Sequence, residues 1–65
     1  MNIIDRFKSD IEAFMTESGM NRTAFGKEAL GDPRFVFDVE SGRSPSAKTM
    51  QRVYDFMDQS KADAA

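Results

Sequence analysis

The residues with chemistry to offer in this chain are its charged ones, because its 65 residues include neither Cys nor His. No thiol nucleophile, imidazole base, disulfide or zinc site can be assembled without them. What remains is 11 acids and 9 bases. Catalysis by carboxylates needs two of them held in different environments within a pocket, so that one keeps its proton. Here Asp and Glu recur along stretches that read as solvated helix faces, so an enzyme is not expected. Arginine offers another chemistry, a rigid fork of N–H donors that matches phosphates and other paired acceptors. No pattern calls for a cofactor, a metal or a small-molecule ligand.

The formal net charge of −2 argues, taken whole, against a polyanionic partner. Its distribution weakens that objection. Residues 1–20 set Arg6 and Lys8 against Asp5, Asp10, Glu12 and Glu17, and residues 53–65 set Lys61 against Asp55, Asp58 and Asp63, so each end is net −2. Between them, Arg22, Lys27, Arg34, Arg43, Lys48 and Arg52 outnumber Glu28, Asp32, Asp38 and Glu40, a net of +2. A polyanion would be met there.

These side chains must be positioned by a small fold. Apolar residues make up 40% and charged ones 31%, the balance of a globular domain. A chain this short forms one domain and buries only about 60% of its unfolded surface. Its longest apolar run, Phe35-Val36-Phe37, is far below the roughly 20 residues that cross a bilayer, and no basic stretch precedes an apolar block near residue 1. No membrane partner is expected. The absence of Cys fits a reducing compartment, and the expected location is cytoplasmic.

Ile3, Ile4, Phe7, Ile11, Phe14 and Met15 recur at spacings of three and four and fall within about 120° of a helical wheel. They predict a helix from Ile3 to Ser18 that Gly19 ends. Asn21 is a good cap for a second helix, Arg22 to Leu30, broken by Gly31. Asp32-Pro33 restarts a third over residues 33–41, with Asp as cap and Pro at the first turn, until Gly42. Ser46 caps a fourth, whose stripe is Met50, Val53, Tyr54 and Met57. The expected domain is residues 1–59, all-α with four short helices, and a frayed tail over residues 60–65.

Helices two and three, joined by a short turn, have the geometry of a helix-turn-helix over about residues 21–41. Their close crossing requires a small residue, which Gly26 supplies, and apolar anchors, which Val36 and Val39 supply. The sequence Gly19-Met20-Asn21-Arg22-Thr23-Ala24-Phe25-Gly26, followed by Val36, Val39, Glu40, Gly42 and Pro45, resembles the Cro and lambdoid-repressor type of DNA-binding domain. More closely it is similar to small bacterial regulators that read G-D-P-x-F-V near the turn and G-R-x-P after it. The resemblance covers about residues 19–57. Its turn glycine comes one place late, at Gly31, with Leu30 where the family has Gly. In the family the acid at Glu40 is often tied to a base in helix one. The matching position here is Met15, so that support is absent or comes from another base such as Arg43.

With Val36 and Val39 inward, Phe35 lies about 70° off that direction, while Arg34, Ser41, Phe37 and Asp38 lie between about 130° and 190° away. Arg34 is placed to read a guanine edge in the major groove. Asp38 either accepts from a cytosine or orients Arg34 one turn earlier. Phe37 meets a thymine methyl, closes the core edge, or anchors a protein interface. Phosphate contacts are expected from Asn21, Arg22 and Thr23 at the start of helix two and from Arg43, Ser44 and Lys48 after helix three.

The expected function is therefore sequence-specific binding of double-stranded DNA by a small repressor-like transcription regulator. One such module makes few base contacts, so a homodimer or a cooperating protein is expected, with Phe56 and Phe37 as the leftover apolar candidates. The alternative is a protein-interaction module that keeps the scaffold and uses Phe37 and the acidic helices to bind another protein.

Overall fold

The computed structural model describes residues 2–64, and the side chains of residues 2–60. Four α-helices follow in order, α1 (Ile3–Ser18), α2 (Arg22–Leu30), α3 (Phe35–Glu40) and α4 (Ala47–Ala64), with no strand among the described residues.

α1 and α2 have the bounds their caps dictate. Asn2 Oδ1 accepts from the Asp5 N–H at 2.8 Å, and Asn21 Oδ1 accepts from the Ala24 N–H at 2.8 Å. Each satisfies one of the donors that a helix start leaves unpaired. At the other ends Gly19 and Gly31 take φ of +73° and +71°, a conformation that costs any other residue more.

α3 is shorter than the expected residues 33–41. Asp32, Pro33 and Arg34 form a tight turn instead, with the Phe35 N–H donating to the Asp32 carbonyl at 3.2 Å and the Arg34 N–H to Asp32 Oδ1 at 3.0 Å. The Asp side chain thus competes with the helix for its first donors, as short polar side chains do. At the far end the Gly42 N–H reaches back only three residues, to Val39, and the helix closes before Ser41. Ser46 caps α4 as expected, its Oγ accepting from the Thr49 N–H at 3.2 Å. α4 continues to Ala64 rather than ending at Gln59, since Ser60 to Ala64 contain two alanines and a lysine and no Gly or Pro to stop it.

Phe7, Ile11, Phe14 and Met15 of α1 meet Phe25 of α2, Phe35, Val36 and Val39 of α3, and Val53 and Met57 of α4 in one core. No polar or charged side chain is buried among the described residues. Rings carry much of this packing. Phe14, Phe25 and Phe56 meet pairwise with centroids 5.6–5.8 Å apart, while Phe7 meets Phe35 at 6.2 Å and Tyr54 at 5.6 Å. Edge-to-face contacts of this kind add to the burial of the rings themselves. Phe56 is therefore half-buried, with its ring packed against the core. Ile3 departs from its stripe in the other direction: it is 69% exposed, lying one turn before Phe7, where α1 makes contact with the Phe35 and Tyr54 rings.

Tyr54 also ties α4 to α1 through its hydroxyl, which donates to Asp10 Oδ2 at 2.6 Å. Burial, then the hydrogen bond and the charge of Asp10, push its pKa up to about 12. α2 packs against both α3 and α4. Its approach to the α3 turn is made at Gly26, which is buried and whose carbonyl accepts from the Asp32 N–H at 3.1 Å.

Candidate nucleic-acid interface

α3 is the helix to which the sequence assigned base reading, by Arg34, Phe37 and Asp38, and its wheel divides cleanly. Phe35, Val36 and Val39 are buried. Phe37 points the other way and is 47% exposed, which removes the core-edge alternative for it. Arg34 and Ser41 lie within about 60° of Phe37 on the wheel and are exposed, so the three form a crest. Asp38 and Glu40 stand on opposite shoulders of that crest, about 100° to one side of Phe37 and about 60° to the other.

Each shoulder holds an arginine. Arg22 Nε donates to both carboxylate oxygens of Glu40, at 2.9 and 3.0 Å, joining the start of α2 to the end of α3. Arg43 Nη1 donates to Asp38 Oδ2 at 3.2 Å, and the Arg43 N–H donates to the Asp38 carbonyl at 3.1 Å. These are the ion pairs among the described residues. Asp38 is thus the ion-pair partner of Arg43 and not of Arg34. The reason is local: the turn at Gly42, with φ of +107°, folds Arg43 back against α3, whereas Arg34 sits at the N-cap, before the helix begins. Likewise Glu40 takes its base from α2, not from Arg43. Arg34 is exposed and enters neither ion pair.

The remaining candidates flank this face. Asn21 spends its side-chain oxygen on the cap of α2, so its amide group and the N–H groups of Arg22 and Thr23 are what that helix end can offer. Thr23 is exposed. Arg43 and Ser44 line a depression of about 440 Å³ with Ser46, Thr49 and Arg52, a base that the sequence reading did not single out. Lys48 is exposed on the first turn of α4, outside that depression. No cluster of three or more potential metal ligands exists among the described residues, and no helix there is long and apolar enough to cross a membrane.

The pairing of Arg22 with Glu40 has no sequence signature, because the two are 18 positions apart on different helices. The Arg43–Asp38 pair did have one, since a Gly placed directly before Arg43 lets the chain turn back on the helix it has just left. Set beside known proteins, the chain matches no family model, no curated protein and no solved structure.

Proposed function

We propose that this chain is a sequence-specific binder of double-stranded DNA, a small transcription regulator of the Cro and lambdoid-repressor helix-turn-helix type, with α3 as its reading helix. The observation that carries the reading is the outward face of α3. It presents Arg34 and Phe37, free of the core, between two arginines held at its sides. A six-residue helix with such a crest is narrow enough to enter a major groove about 12 Å wide. Arg34 is then the guanine reader and Phe37 the contact to a thymine methyl. Arg22, Thr23, Arg43, Ser44 and Lys48 supply the phosphate contacts, with Asn21 through its amide group. Useful affinity comes from two copies on paired half-sites or from a cooperating protein, in the cytoplasm.

Selection of bound fragments from a pool of genomic duplexes tests this directly. Enrichment of one motif containing a guanine, with affinity falling steeply as salt rises, is the expected result. Failure to retain any duplex at low salt counts against it. A second reading, a protein-interaction module, draws on the exposure of Phe37 and the excess of acids in residues 1–20 and 53–65; it predicts a protein complex lost on Phe37→Ala and no specific duplex.

A further inference from the structure

Two acids sit on the shoulders of the helix that would enter a polyanion. Left alone, each would repel the phosphates on its side. Nor do they account for the fold, since exposed ion pairs contribute little to stability and the core is built without them. Their geometry suggests another use. A guanidinium has five N–H donors. Glu40 engages Arg22 through Nε alone, and Asp38 engages Arg43 through Nη1, so both terminal nitrogens of Arg22 and both Nε and Nη2 of Arg43 make no side-chain hydrogen bond among the described residues. α3 itself carries no base between Phe35 and Glu40.

We infer that Asp38 and Glu40 are positioning residues, each holding one arginine on its own flank of α3 so that the free guanidinium N–H groups meet the phosphate strand on that side of the groove. This rests on the DNA reading and deepens it. A surface arginine samples many rotamers and loses that freedom on binding. One tethered beforehand loses less, and the two opposite shoulders match the two phosphate strands that bound a major groove. The Arg22–Glu40 pair also spans the start of α2 and the end of α3, so the bond that orients the cation joins the two helices.

The test exploits opposite signs. Glu40→Gln and Asp38→Asn each remove a negative charge, so Coulomb attraction alone predicts tighter binding to the selected duplex. Positioning predicts weaker binding, by about threefold to tenfold, and a plot of log affinity against log salt that is shallower by up to about 1. Glu28→Gln, which removes an exposed acid of α2 outside both ion pairs, is the charge-matched control and binds as tightly as wild type or tighter. Nuclear magnetic resonance of the arginine Nε–H group reports the tether without DNA: slow exchange of Arg22 in wild type, lost in Glu40→Gln. Unfolding midpoints measured alongside separate lost positioning from lost folding, and Glu40→Asp replaces any variant that does not fold. Equal or tighter binding with an unchanged salt slope in both acid variants overturns the inference and leaves DNA binding standing. A wild type that binds no duplex overturns both together.

Discussion

Gly26 and the carbonyl oxygen of Asp32 lie so close that a Cβ on Gly26 would overlap that oxygen and press on Phe35 Cβ at 3.3 Å. The obstacle is backbone, which cannot swing aside. Gly26→Ala should therefore force α2 and the α3 turn apart and destabilise the domain by about 1–3 kcal/mol or more. In a domain of this size that is a fall in Tm of about 4–8 °C for each kcal/mol, read by thermal unfolding. An unchanged Tm would show that the crossing can widen at no cost.

Val36 and Val39 are 3% and 2% exposed and are the inward anchors of α3. Truncation of either to Ala should cost about 1–3 kcal/mol in urea unfolding. Phe37→Ala, on the outer face of the same helix, should leave the urea midpoint nearly unchanged. Reversal of that order would mean α3 is rotated about its axis.

Tyr54 is the chain's one tyrosine, so its titration can be followed by ultraviolet absorbance without interference. Its folded pKa, raised to about 12, lies above the ordinary value of 10.0, which means the folded state holds the phenolic proton more tightly. The resulting stability is complete below pH about 10 and is lost as pH rises from there through about 12. Tyr54→Phe should abolish that alkaline loss and, by deleting the bond to Asp10, lower stability at neutral pH by about 1 kcal/mol. An ordinary tyrosine titration in the native protein would contradict the coupling.

For DNA, Arg34→Ala should relax preference at one guanine and cost about 1–3 kcal/mol at the selected site, with non-specific binding less affected. Phe37→Ala should lose discrimination at a neighbouring thymine. Sedimentation of the same variants addresses the competing reading, in which Phe37→Ala dissolves a protein complex and no duplex is bound specifically.

Arg22→Ala and Arg43→Ala should weaken binding to all duplexes about equally and flatten the salt dependence by about 1 each. Wild-type affinity in both variants would remove these arginines from the interface.

Local rules account for much of the fold. Asn21, Gly19 and Gly31 set the ends of α1 and α2 through caps that act within a turn of themselves, and the apolar spacing of α1 and α4 named most of the core. Spacing failed where tertiary partners decide. Phe56 reads as spare on the wheel of α4 and is claimed by the Phe14 and Phe25 rings, while Ile3 fits the α1 stripe and stays outside. On the candidate site, the outward phase of α3 was legible because Val36 and Val39 fix it. The partner of Glu40 was not, since Arg22 reaches it across 18 residues, whereas the Gly42 turn that brings Arg43 back to Asp38 left a mark in the sequence.

Every described residue that builds the core is apolar, and Phe35, Val36 and Val39 give α3 its whole hold on it. The crest of Arg34, Phe37 and Ser41 shares no packing duty with them. Its residues can thus be exchanged in combination without a matching change inside the domain, so a library varied at these three positions should yield mostly folded proteins. The packing face and the exposed face are thus separable, the one set by three residues inside α3 and the other by Phe37 with the two caps of the helix.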